Sequence, residues 1–225
     1  MTHTVHPFAH RLGIIRDWKS RWFSKRPAQY RENVMVDTVI RRFLKKRLRG
    51  NYVTSVEIER NEKQVRILVK TARPGLVIGR GGEGSVKLTK EIEAMIKKVP
   101  GNAGPRSIKF DIEEVRSPES QAPVVAWMVA EGLEKQQTFR RVLKQTVEKV
   151  MANRDVEGVR IAIGGRLGGA EMSRSEEIKR GRVPLQTIRA DIDFAREVAY
   201  MSYGVIGVKV WIYRGEIFDN DEQRS

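Results

Sequence analysis

The sequence predicts an α+β fold in two domains. Two observations carry this. Apolar residues switch between helical and strand periodicity along the first half, in the order helix, strand, strand, helix, strand. In the second half two helical patterns come first and several strand patterns follow, which describes two helices packed on an antiparallel sheet. A chain of 225 residues can hold one or two cores of this kind, and 40% apolar residues can fill them.

Each element has its own signal. Residues 1–28 read as a basic N-terminal arm. Within it, Arg11, Arg16, Lys19 and Arg21 are mixed with Trp18, Trp22 and Phe23. Trp18 and Trp22, four apart, share a face on a helix, where core packing is the plainer use of the rings and base stacking the other. Gln29–Arg49 reads as a long amphipathic helix, with Val36, Ile40, Leu44 and Leu48 on one face. Its other face carries Arg41, Arg42, Lys45, Lys46 and Arg49, and Gly50 suits the stop. Val53–Arg60 and Gln64–Thr71 form a predicted hairpin through Asn61-Glu62-Lys63. After Pro74-Gly75 and a glycine loop, Leu88, Ile92, Met95, Ile96 and Val99 mark a helix stopped by Pro100-Gly101. Ile108, Phe110 and Ile112 mark a third strand. Residues 29–116 make the first domain.

The second domain is assigned to 117–218, with 219–225 as a polar tail. Ser117-Pro118 starts a helix with Val125, Val129 and Leu133 buried. A second helix begins near Thr138, burying Phe139, Val142, Leu143, Thr146, Val147 and Val150. Strands are expected over Val159–Ile163, Val183–Arg189, Val198–Tyr203 and Val205–Tyr213. Pro184 confines its strand to an edge or a first position.

Composition narrows the function. Lys plus Arg total 43 and Asp plus Glu 28, a formal net charge of +15. A surplus of that size calls for a polyanionic partner. Residues 11–49 hold 13 basic and 3 acidic residues, a net of +10, so two-thirds of the surplus lies near the N-terminus. Neutralising phosphates there would release condensed counterions and add affinity. Cysteine is absent, which removes disulfides, thiol catalysis and cysteine-based metal sites. No apolar run reaches the roughly 18 residues of a membrane span, and Met1–His10 lacks a signal-peptide core. A soluble, cytoplasmic protein is expected, without membrane contact.

The loop Gly79-Arg80-Gly81-Gly82-Glu83-Gly84 matches the dinucleotide fingerprint G-x-G-x-x-G. That fingerprint should follow a buried parallel strand, and here only Leu76-Val77-Ile78 intervene after Pro74-Gly75. The competing use takes Gly79, Arg80, Gly81 and Gly82 as a backbone clamp. Absent side chains let the chain approach a sugar–phosphate strand, and the next helix aims free N–H groups at it. On the loop alone, a plain structural turn fits equally well.

The helix near Thr138 places Arg140, Arg141 and Lys144 in its first two turns, and no acidic residue occurs from Lys135 to Val147. Cations there oppose the helix dipole at about 0.3–1 kcal/mol each. A nucleic-acid strand passing over the helix accounts for that placement better than solvation does. Gly164–Ala170 with Arg166, Arg174, Lys179, Arg180 and Arg182 reads as a flexible inter-strand loop. Asp191 and Asp193 suit turn or salt-bridge use. His3, His6 and His10 offer no metal-grade cluster.

Helix, strand, strand, glycine clamp, helix, strand resembles a type II KH domain, an RNA-binding module. The resemblance implies a short helix before the clamp, over Pro74–Ile78, which periodicity does not show. Longer stretches resemble the bacterial small-subunit ribosomal protein S-three family. They include Arg11-Leu12-Gly13-Ile14, Gly165–Glu171, Gly181–Leu185, Arg189–Asp193 and Tyr203–Ile212. Phe8-Ala9-His10 departs from that family's small, glycine-containing turn. The resemblance implies a non-enzymatic, ribosome-bound component of the small-subunit head. Its partners would be small-subunit rRNA, messenger RNA and neighbouring head proteins, with no cofactor. It also implies that Arg140, Arg141 and Lys144 lie where message enters and help unwind it. The RNA-binding set expected is Gly79, Arg80, Gly81, Gly82, Arg140, Arg141, Lys144, Arg11, Arg16, Lys19, Arg41, Arg42, Lys45, Lys46, Arg166 and Arg182. A free KH-type regulator of messenger RNA and a nucleotide-dependent enzyme using Gly79–Gly84 are the competing readings.

Overall fold

Two hydrophobic clusters organise the chain. The computed structural model describes residues 5–61, 64–98 and 107–218. Glu62-Lys63, Val99, the Pro100-Gly101 stop, His3 and the 219–225 tail lie outside them. One unit is Trp18–Arg116; the other combines Met1–Asp17 with Ser117–Ser225. This division differs from the expected 1–28 arm: the basic stretch is shared between the units at Asp17/Trp18.

In the first unit the elements are β1 (Ser20–Arg21), α2 (Pro27–Arg47), β2 (Val53–Arg60), β3 (Gln64–Thr71), α3 (Pro74–Ile78), α4 (Glu83–Ile96) and β4 (Ser107–Glu114); α1 (Pro7–His10) belongs to the other unit. The sheet runs β1-β2-β3-β4. β2 and β3 are antiparallel, whereas β4 runs parallel to β3. Val36, Ile40 and Leu44 of α2 and its cap Leu48 are buried against Ile58, Val65, Ile67 and Val69, together with Leu88, Ile92 and Ile96 of α4. Pro27 starts α2, where its missing N–H costs nothing. Lys45, Lys46 and Arg47 end it, at the favourable pole of its dipole.

The opposite face of this sheet is an ionic lattice. Arg66 reaches Asp111 at 2.6 Å and Glu59 at 3.4 Å, and Lys70 reaches Glu57 at 3.2 Å and Glu113 at 3.8 Å. Lys109 adds Asp111, and Arg21 adds Glu57 and Glu59. The hydrogen bond from Arg66 holds the Asp111 carboxyl below the usual carboxylate range, against the opposing pull of burial. The same pairing raises Arg66 above its ordinary value.

The second unit contains α5 (Ala122–Glu134), α6 (Phe139–Met151), β5 (Gly158–Gly165), β6 (Arg174–Gly181), β7 (Ala190–Met201) and β8 (Gly204–Glu216). Its sheet is antiparallel in the order β6-β5-β8-β7. Val125, Val129, Leu143 and Val147 of the two helices bury Val159, Ile161, Ile163, Val208 and Val210. Gly132 lets the helices meet closely, since a Cβ there would stand 3.1 Å from Val142 Cγ1.

Three expectations need correction. Val183–Arg189 is not a strand, and Arg174–Gly181 is β6 rather than a flexible loop. β6 is an edge strand whose helix-facing row, Arg174, Glu176, Ile178 and Arg180, holds one apolar residue, so no apolar alternation is there to read. Val183 and Leu185 instead pack from a loop onto Ala190, Ile192, Trp211 and Tyr213. Trp18 and Trp22 do not share a helix face, because no helix forms between Arg11 and Phe23. Trp22 packs on Tyr30 and donates from Nε1 to Asp37 Oδ2 at 2.8 Å, while Trp18 is exposed.

Candidate nucleic-acid interface

The glycine loop is positioned by two helices of unequal length. α3 ends at Gly79, whose φ of +72° lets the chain reverse. Gly81 (φ +59°) and Gly82 (φ +84°) continue in the left-handed region, and Gly82 caps α4 with no side chain bonded to its first turn. A Cβ on Gly81 would meet nothing within 4 Å, so its backbone is open to a ligand. Arg80 is exposed at the tip. Gly84 has a different use: a Cβ there would sit 2.7 Å from Val77 O and 2.8 Å from Ile78 O. It packs α4 under the end of α3. The loop therefore follows a helix and not a strand, and the dinucleotide reading loses its structural context.

Beside the clamp lies an open cleft of about 720 Å³. Ile78 and Ser85 form one wall, and Leu68, Phe110 and Ile112 with Arg66, Lys109, Asp111 and Glu113 form the other. Leu76 and Ile78 of α3 and Val86 of α4 stay exposed. An open cleft of mixed apolar and charged lining beside a bare-backbone loop can hold the bases of a single strand while the loop holds its phosphates.

The arginines nominated from the first fifth of the chain separate into two kinds. Arg11 is a correction: it is fully buried. Its Nε donates to Ala190 O at 2.7 Å, Nη1 to Pro7 O at 3.0 Å, and Nη2 to Thr187 O at 2.7 Å and Leu185 O at 3.1 Å. Burial lowers its pKa, and the charge of Asp191 pulls it back up. Arg16 pairs with Asp191 at 2.5 Å, and Arg214 with Asp193 at 3.1 Å, so the salt-bridge use of these aspartates holds. Arg41 is also structural. It donates to Val56 O, to Lys19 O at 2.8 Å and to Ser20 Oγ at 2.8 Å. Its pKa is lowered by burial, against the pull of Asp37 and Glu57. Arg11 and Arg41 thus spend their N–H groups mainly on the chain's own backbone, and Arg16 on Asp191. Arg42, Lys45 and Lys46 are exposed on α2, and Lys19 is exposed beside β1.

In the second unit, Arg140, Arg141 and Lys144 are all exposed on α6, which has no acidic residue in its first turn and no side-chain cap from Thr138. Arg166 staples its own loop, donating to Ala170 O at 2.9 Å and Tyr203 O at 3.1 Å. Arg182 is exposed just past β6. Sequence alone puts Arg174 in a loop and gives no link to this surface. It lies on β6, with its guanidinium carbon 5.3 Å from the centroid of Phe139.

Comparison with known proteins agrees with this geometry. A KH domain model matches residues 39–120, and the model of the ribosomal protein S3 C-terminal domain matches residues 129–212. The small ribosomal subunit protein uS3 of Clostridium novyi (strain NT) is 41% identical over 225 residues, covering 100% of this chain and 98% of that protein. The chain belongs to the ribosomal protein S3 family. The uS3 proteins of Oleidesulfovibrio alaskensis and Marinobacter nauticus are 43% and 45% identical, covering 100% and 99% of this chain and 100% and 94% of theirs. The family is structural and non-enzymatic, so the enzyme reading of Gly79–Gly84 is set aside. Among the described residues no group of His, Cys, Asp and Glu could hold a metal ion, and no helix is long and apolar enough to cross a membrane.

Proposed function

We propose that this chain is a structural constituent of the head of the small ribosomal subunit, working in the cytoplasm. It binds small-subunit rRNA and neighbouring head proteins, and it presents α6 to messenger RNA where message enters. The observation that carries the messenger-RNA part is the exposed trio Arg140, Arg141 and Lys144 at a helix start that holds no acid. Selection for stability alone would place Asp or Glu in that turn. Cations held there against the dipole gain their purpose from an external polyanion. Gly79, Arg80, Gly81 and Gly82, with the adjoining cleft, serve as a second, separate site for a single RNA strand, and Arg42, Lys45, Lys46, Lys19 and Arg182 add exposed charge for rRNA.

The test is a small subunit reconstituted with the Arg140→Ala, Arg141→Ala, Lys144→Ala protein. Particles should assemble normally and translate an unstructured message at the wild-type rate. Translation through a stable hairpin should slow several-fold. Equal rates on hairpin-bearing and unstructured messages would remove α6 from the path of message. Release of the wild-type protein from small subunits by a moderate salt wash would instead favour a free KH-type regulator.

A further inference from the structure

The register of β6 assigns it a row of side chains facing α6. Arg174, Glu176, Ile178 and Arg180 pair with Gly165, Ile163, Ile161 and Val159. Those last three are buried beneath the helices, and directly paired residues share a face. Phe139 opens α6 and packs partly against the same core. Two guanidinium groups converge on its ring: Arg174 at 5.3 Å and Arg140 at 5.6 Å from the centroid. Glu176 faces Arg140, with an oxygen 3.8 Å from its Nη2. The Arg140 side chain keeps 77% of its surface exposed.

We propose that Phe139, Arg140 and Arg174 form one phosphodiester-binding site for single-stranded RNA, half on the helix and half on the edge strand. The proposal rests on the reading of α6 as a messenger-RNA surface, and extends it onto β6. Two like charges held on one ring repel each other, and a bound phosphate relieves that repulsion. A guanidinium stacked on an aromatic ring still offers its N–H fork outward, which is the geometry that a phosphate takes in two places at once. Phe139 is then a positioning residue that holds both forks, and Arg174 is a contact residue contributed by β6. Arg180, on the same row, extends the charge along the strand in the direction away from Arg174.

The test uses the full-length protein and a fluorescein-labelled 20-nucleotide oligouridylate, titrated by anisotropy across a salt series. Loss of one phosphate contact should lower the slope of log K against log salt by about 0.7, which is about fourfold weaker binding at 0.15 M salt. Arg174→Ala should show both changes, with an unaltered melting temperature; Arg174→Gln repeats the test should the alanine variant be unstable. Combining Arg174→Ala with Arg140→Ala should weaken binding by less than the product of the two single effects, because they share one phosphate. Phe139→Leu keeps both charges, so its slope should stay at the wild-type value while affinity falls about threefold. A merely structural role for Phe139 would lower the melting temperature without that split. Wild-type binding by Arg174→Ala, alongside a reduced slope for the Arg140→Ala, Arg141→Ala, Lys144→Ala protein, overturns the strand half and leaves the helix reading standing. Wild-type slopes for both overturn the two together.

Discussion

Replacing Arg11 with Ala tests whether a cation predicted to grip phosphate is in fact a structural clasp. The substitution removes the donor from four backbone carbonyls held at 2.7–3.1 Å, those of Pro7, Leu185, Thr187 and Ala190. An orphaned buried acceptor costs about 1–3 kcal/mol, and breaking a buried charged network about 3–5 kcal/mol in all. Leu185 and Thr187 are only partly buried, so water will satisfy some of their loss. We expect about 4 kcal/mol, confined to the segments that Arg11 joins, because these can open without the helices and sheet. Native-state hydrogen exchange should then show roughly 10³-fold less protection around residues 184–190, at about 1.4 kcal/mol per factor of ten. RNA affinity should keep its salt slope, since Arg11 offers no surface to a phosphate. Less than a tenfold change in protection would refute the clasp. A slope lowered by about 0.7 would restore Arg11 to the RNA-binding set.

Three further predictions follow from other sites. Gly84→Ala should lower stability by about 2 kcal/mol in urea unfolding, since its Cβ would strike the carbonyls of Val77 and Ile78. Gly81→Ala should cost only about 1 kcal/mol, from its positive φ, because space there is open. Equal costs would show that packing at Gly84 is unimportant. Asp111, with its pKa lowered by Arg66, contributes stability above the unfolded carboxylate value of about 3.9 and loses it as pH falls through the still lower folded value. The gap in melting temperature between wild type and Asp111→Asn should therefore be flat from pH 7 to 5 and narrow as pH falls below 4; a gap that does not change at all between pH 5 and pH 2 would contradict this. Trp22→Phe should cost about 1–3 kcal/mol, because Asp37 loses a donor at 2.8 Å in a site it shares with Arg60. A chemical-denaturation midpoint equal to wild type would count against that hydrogen bond.

The periodic elements were legible in the sequence because burial wrote them there. Val36, Ile40, Leu44 and Leu48 could be read as one helix face because that face is the core of the first unit. Val142, Leu143, Val147 and Val150 likewise gave α6. β6 was not legible: of its helix-facing row only Glu176 and Ile178 are partly buried and three of the four residues are charged, so charge hid the period. The Val183-Pro184-Leu185 run misled for the opposite reason, being apolar enough to bury yet lying in a loop. α3 has five residues, too few for a helical period to show, and only the family resemblance supplied it. For the site, exposure and charge separated Arg140, Arg141 and Lys144 correctly from the core. The structural bonds of Arg11 and Arg41 were not legible because most of their acceptors are backbone carbonyls, which have no signature in sequence. The pairing of Arg174 with Phe139 depends on strand register across 35 residues, and no local pattern encodes that.

Arg11 also fixes an order of events during synthesis. Its acceptors at Pro184 to Ala190 lie 173 to 179 residues downstream. At about 5–20 residues per second, translation delivers them roughly 10–35 seconds after Arg11 has emerged. The unit from Trp18 to Arg116 is contiguous and has all its own elements long before then. The segment around Arg11 is thus made long before its partners, a guanidinium left in water until residues 184–190 arrive.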